Sequence, residues 1–119
     1  ISKRDIIFKH YYDVWNFYKE GDFLIKMKDK ITKDKLEKYS KLTTTALKEA
    51  KSNVIQGREN YAKEIIEMVE NYLSDAKHFE KKMDFVNAFA ALNYAHGWLD
   101  SGVRLDVFDV KNSKLFTVK

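Results

Sequence analysis

Ile65-Ile66-Glu67-Met68-Val69-Glu70-Asn71-Tyr72-Leu73-Ser74-Asp75-Ala76-Lys77-His78-Phe79-Glu80-Lys81-Lys82-Met83 is the stretch on which the fold turns. Its apolar residues Ile65, Val69, Tyr72, Ala76, Phe79 and Met83 recur at steps of 4, 3, 4, 3 and 4. That is a heptad seam, the pattern of helices that pack at a shallow angle of about 20°. The charged residues between them fall on the opposite side, so the spacing predicts one long amphipathic helix over residues 59–82.

The same reading extends in both directions. Upstream, Leu36, Tyr39, Thr43, Ala46, Ala50 and Asn53 alternate in steps of 3 and 4, with Thr32 as N-cap, and Gly57 with Arg58, Glu59 and Asn60 marks a break. Downstream, Asp84 is a good N-cap for a last helix over residues 85–101, with Gly102 as its C′ stop. Connections this short place consecutive helices antiparallel. The expected class is all-α, an antiparallel up-and-down three-helix bundle of spectrin-repeat type. Residues 1–30 read as an extra aromatic-rich N-terminal helix and a connector, because Ile7, Tyr11, Val14 (or Trp15) and Tyr18 form an apolar stripe between Ser2 and Gly21. Residues 31–119 form the bundle domain. Its tail reads as a short β-hairpin, with residues 107–110 and 115–118 β-prone around Lys111, Asn112, Ser113 and Lys114.

Composition narrows the chemistry. With 119 residues, 45% of them hydrophobic and 34% charged, the chain suits one soluble domain with a modest core. Zero Cys excludes disulfides, thiolate zinc sites and a thiol nucleophile, and zero Pro with four Gly favours long helices. No apolar run reaches 18 residues and no charged-then-apolar leader is present, so a cytoplasmic location without a membrane partner is expected.

The charge is uneven. The net charge is +4 and the isoelectric point about 9.1. Residues 1–57 carry 13 Lys+Arg against 8 Asp+Glu, and residues 58–119 carry 9 against 10. The excess gathers in Lys26, Lys28, Lys30, Lys33, Lys35, Lys38 and Lys41. Asp29, Asp34 and Glu37 interrupt that run, and only three of the 22 basic residues are Arg. Lys is a compact point charge without the fork that reads phosphates and base edges in pairs. A solvated face is therefore the first reading and a polyanion surface for RNA or the ribosome the second.

The last helix is unusual because Asp100 is its only formally charged residue over 85–101, which calls for cover on nearly every side. Ala88, Ala91 and Ala95 make a track for close helix approach, and Phe89, Leu92 and Leu99 add bulk. Asn93, His96 and Asp100 fall within about 60° of one another at 100° per residue, a polar ribbon on an apolar rod. Counting back through the two turns sets His96 level with Tyr72 and Thr43, which predicts a polar layer of Thr43, Tyr72 and His96. His96 with Asp100 one turn on can orient an imidazole for acid–base work or present two metal ligands. The plainer reading is a buried histidine held by Asp100 or Tyr72. His78 and His10 do not converge on it, so no metal, other cofactor or catalytic residue is assigned. No phosphate loop, nucleophile elbow or paired-carboxylate cleft is present. Arg4 followed six residues on by His10 resembles the active-site motif of a superfamily of small helical ribonucleases, where it sits near the end of the domain and not at its start.

Residues 84–105, with the run Asn93-Tyr94-Ala95-His96-Gly97-Trp98-Leu99-Asp100 at their centre, resemble the most characteristic segment of the archaeal domain-of-unknown-function family 357. Phe108, Asp109 and Val110, then Leu115, Phe116, Thr117 and Val118, fit it as well. The resemblance spans roughly residues 31–119 and leaves residues 1–30 outside. It implies a helical antiparallel bundle and an archaeal cytoplasmic source, and it supplies no activity. The expected function is a non-enzymatic module that binds another protein or its own kind. RNA or ribosome association through the lysines of 26–41 is the alternative, and a small helical ribonuclease the remote one.

Overall fold

The computed structural model describes residues 28–118. The aromatic helix expected over residues 2–20, most of the connector, Lys26, Arg4 and His10 lie outside the described residues. Within them there are three helices and no strand: α1 Lys33–Lys51, α2 Glu59–Lys81 and α3 Phe85–Arg104.

Each boundary has a local cause. Thr32 starts α1, its Oγ1 accepting the Lys35 N–H at 3.1 Å, and Asp34 in the first turn with Lys48 and Lys51 in the last suits the helix dipole. The helix stops at Lys51 instead of 53 because polar side chains take its orphan carbonyls. Asn53 Nδ2 donates to Glu49 O at 2.8 Å and Ser52 Oγ to Lys48 O at 3.3 Å. Gly57 turns the chain at φ +90°, donating its N–H to Glu59 Oε1 at 3.1 Å. The N–H groups of Glu59 and Gly57 hold the Glu59 carboxyl below its ordinary range. Asp84 opens α3, taking the Asn87 N–H on Oδ1 at 3.2 Å and its side-chain amide on Oδ2 at 2.7 Å.

α2 and α3 end alike. Met83, at φ 62°, donates to Glu80 O while Asp84 donates to Phe79 O, both at 2.9 Å. Asp106, at φ 59°, donates to Val103 O at 3.2 Å while Val107 donates to Gly102 O at 2.8 Å. Both are Schellman closures with a left-handed residue that is not glycine. Two expectations are corrected here. Met83 leaves the seam to serve as this left-handed residue, and α3 runs through Gly102 to Arg104 because Asp106 supplies the reversal. Gly102 instead leaves space for a ring, since a Cβ on it would stand 2.5 Å from Phe108 Cε2, 2.7 Å from Cδ2 and 3.1 Å from Ile65 Cδ1.

The core divides into two apolar clusters. The smaller gathers Leu36, Ala76, Ala88, Ala91 and Leu92, with Ile31, Tyr39, Phe79, Phe85 and Phe89 around them. The larger joins Ala46, Leu47, Ala50, Ala62, Ile65, Val69, Ala95, Leu99 and Val103 to four tail residues, Val107, Phe108, Val110 and Phe116. Tyr72 and Leu73 touch both. The seam is thus as the periodicity predicts through Phe79, and Ala88, Ala91, Ala95 and Gly102 form the buried track of α3.

The tail is not a hairpin. Its first half pairs with the α1–α2 connection as an isolated antiparallel bridge, Val54 with Phe108, in which Ile55 N–H donates to Val107 O at 2.9 Å and Asp109 N–H to Asn53 O at 2.8 Å. Its second half turns at Asn112, whose carbonyl accepts from Leu115 and Phe116. Burying Phe108 and Phe116 in the bundle removes more apolar surface from water than a lone hairpin could.

Gly102→Ala should destabilise the protein by about 1–3 kcal/mol, since the Phe108 ring has to leave its place. Gly97→Ala on the same helix meets nothing within 4 Å and should stabilise by about 0.5–1 kcal/mol. Urea unfolding of the two variants reads both signs.

Candidate functional site

His96 sits in the middle of α3 and is bonded on both edges of its ring. Nδ1 lies 3.1 Å from Thr43 Oγ1 on α1, and Nε2 lies 2.6 Å from the Leu115 carbonyl oxygen in the tail. A carbonyl only accepts, so Nε2 carries a proton, and in the neutral ring Nδ1 accepts the Thr43 hydroxyl. The side chain is 18% exposed. Thr43 is buried between the helices, and no buried side-chain polar atom among the described residues lacks a partner.

Asp100, one turn further along α3, is 3.9 Å from Nε2, at the outer limit of an ion pair. Its oxygens serve the tail instead. Oδ1 accepts the Thr117 N–H at 2.8 Å and Oδ2 the Thr117 hydroxyl at 3.3 Å. Between these two holds, Phe116 inserts into the larger cluster with its ring 6.5 Å from the imidazole. His96 and Asp100 together therefore clasp residues 115–117 onto α3, and the imidazole has no ring nitrogen left over for a substrate.

The geometry sorts the expected polar residues. Thr43 and His96 meet as helical arithmetic predicts. Tyr72 is level with them but joins Tyr94 on the outer side, ring centroids 4.6 Å apart at 69°, and no hydrogen bond links it to His96. Burial, then the neighbouring Tyr94, pushes the Tyr72 hydroxyl above the ordinary tyrosine range. Asn93 is exposed on the outer face, away from the clasp. No group of three or more His, Asp or Glu converges in a way that could hold a metal among the described residues. The partners that sequence reading missed are Leu115 O and Thr117 N, backbone atoms with no side-chain signature.

The lysines separate into groups. Lys28 and Lys30 are exposed ahead of α1. Lys33 borders a cleft of about 530 Å³ with Lys77, Glu80, Lys81, Met83 and Phe85. Lys35 lies over aromatic rings, 5.4 Å from the Phe89 centroid and 6.0 Å from that of Tyr39. Lys38 and Lys41 face a different groove, shared with Lys114 of the tail.

The expectation that α3 is wrapped on nearly every side is corrected. α1, α2 and the tail cover three of its sides, and three helices leave the fourth open. Val86, Tyr94 and Leu105 stand there 68%, 55% and 67% exposed, in line with Ala90, Gly97 and Ser101 and with the exposed Arg104 beside them.

The fold and clasp define a class, a small all-helical protein whose tail is fastened to its last helix. Over residues 38–108 the chain matches the family described as "Protein of unknown function (DUF357)", and it belongs to that family. Thr43, Tyr72, Asn93, His96 and Asp100 fall inside the match, while Lys114, Leu115 and Thr117 lie beyond it. No curated protein and no solved structure matches the chain.

Thr43→Val leaves Nδ1 without its donor and should cost about 1–3 kcal/mol in urea unfolding. Asp100→Ala should speed hydrogen exchange at the Thr117 amide while core amides of α1 and α2 keep their protection.

Proposed function

We propose that the protein is a non-enzymatic interaction module, an up-down-up antiparallel bundle that associates with a second copy of itself, or with another protein, through the outer face of α3. The observation that carries this reading is the stripe of Val86, Ala90, Tyr94, Gly97, Ser101 and Leu105, with Met83 exposed in the turn just before it. Three of its residues are large, apolar and more than half exposed, and it meets no charge before Arg104 at its C-terminal end. A helix face turned to water normally carries charge, and an uncharged one of this length is a surface awaiting cover. The clasp supports a binding role over catalysis, because His96 is committed on both edges to protein atoms. No helix among the described residues is long and apolar enough to cross a membrane, which suits the cytoplasmic setting of this reading.

RNA or ribosome association is the second reading, favoured by one observation, the groove that Lys38 and Lys41 share with Lys114. The ribonuclease reading rests on Arg4 and His10, outside the described residues, and no geometry supports it.

Sedimentation velocity over a concentration series should show a reversible shift toward dimer. Val86→Glu with Tyr94→Glu should hold the protein monomeric with its helical circular dichroism unchanged. A strict monomer at every concentration, with the double substitution also leaving partner capture from native extract unaltered, would sink the reading.

A further inference from the structure

Along the side of the bundle where α1 meets the tail runs a groove of about 490 Å³, lined by Lys38, Tyr39, Lys41, Leu42, Thr45, Lys114 and Leu115. Three lysines border it, and among the described residues no carboxylate does. Asp34 and Glu37 stand one turn before Lys38 and Lys41, the spacing of helical ion pairs, yet neither comes within pairing distance. Lys51 does pair with a carboxylate, Glu70 at 3.2 Å, elsewhere on the surface.

The third lysine is the informative one, because it comes from a different part of the chain and its backbone is fixed. Lys114 N–H donates to Asn112 Oδ1 at 3.0 Å, closing a turn whose next residue gives its carbonyl to His96. The clasp thereby sets a tail ammonium opposite two from α1 before any ligand arrives, which lowers the ordering cost of binding. Leu42 and Leu115 supply apolar lining, and the Thr45 hydroxyl and Tyr39 phenol add donors.

We propose that this groove binds a phosphate-bearing anion, its phosphate oxygens among Lys38, Lys41 and Lys114 and its apolar or planar body along Leu42 and Leu115. Three cations around one nucleotide-sized space call for two or three negative charges in a compact group. A phosphate monoester carries about −1.5 to −2 at neutral pH, where a carboxylate carries one. The absence of Arg among the described residues of the groove favours charge neutralisation over reading of base edges. A free nucleotide offers that charge in its terminal phosphate, and an RNA backbone reaches it with two or three successive phosphodiesters of one charge each. The inference narrows the RNA-association reading to one site and stands apart from the α3 face.

The test titrates the whole chain at low salt with three probes: inorganic pyrophosphate, a short single-stranded oligoribonucleotide and polyglutamate. Amide shifts by NMR report the site. Pyrophosphate or the oligonucleotide should perturb residues 38–45 and 114–116 saturably. The oligonucleotide arm should show a log–log salt slope of about −2 for three contacts. Lys41→Glu and Lys114→Gln should each weaken binding, the charge reversal by about tenfold. Lys77→Glu with Lys81→Glu, at the separate basic cleft, should leave it unchanged. Binding by pyrophosphate places the ligand among free phosphates, and binding by the oligonucleotide alone places it on an RNA backbone. No saturable binding by either, equal binding of polyglutamate, or equal weakening by the Lys77 and Lys81 changes would overturn the proposal. Loss of the α3 association with groove binding intact, or the reverse, tells the two ideas apart.

Discussion

One imidazole joins three segments of this chain. Through Nδ1 it meets α1, through its own Cα it belongs to α3, and through Nε2 it holds the tail. Each bond is worth only about 0.5–1.5 kcal/mol net, because water would satisfy the same atoms in the unfolded chain. Its weight lies in what a slip would cost. Shifting α1 along α3 by one turn strands the Thr43 hydroxyl and a ring nitrogen away from water, a penalty of about 1–3 kcal/mol for each. The helix residues of the apolar clusters on either side are, apart from Ile65, all Ala, Leu and Val, which tolerate sliding far better. Polar pairing therefore fixes the register, and apolar burial supplies most of the stability.

The tail is as much a part of the core as the helices. Val107, Phe108, Val110 and Phe116 are buried; the Val107 and Phe108 N–H groups donate to Gly102 O, the Phe116 N–H to Asn112 O, and α3 side chains bond the flanking Leu115 carbonyl and Thr117 N–H. This explains why the last helix carries almost no charge on its inner sides: it is the one element that faces both other helices and the tail. Its outer side has no such neighbour and still carries no charge before Arg104 in the last turn, the contrast on which the interaction reading rests.

How much of this is legible in the sequence varies with the kind of signal. The three helices are readable because a 3–4 alternation of apolar residues survives without tertiary knowledge, as do the caps Thr32 and Asp84. The meeting of Thr43 with His96 is readable by counting residues through two turns. Gly102 misleads because glycine is the common helix stop, whereas here it makes room for a ring whose approach depends on the tertiary fold. The β-prone tail misleads for a related reason, since its alternation records burial of Phe108 and Phe116 against helices and not pairing between its halves. Asp100 stands out in the sequence as a companion of the imidazole, but its real partner, Thr117, offers mainly a backbone N–H, and every residue but proline has one. Lys114 draws no notice because it stands far along the chain from the lysines it joins.

The contact between Gly102 and Phe108 has a consequence for how such a chain changes over generations. The space that a side chain at 102 would claim is already filled by the phenyl ring six residues later. A lineage that acquires a methyl group at the first position keeps its fold most readily by trimming the second to an aliphatic residue, and restoring the ring demands the bare backbone again. The two sites should drift as a single inherited unit, with Ile65 as the third member that absorbs what remains of the misfit.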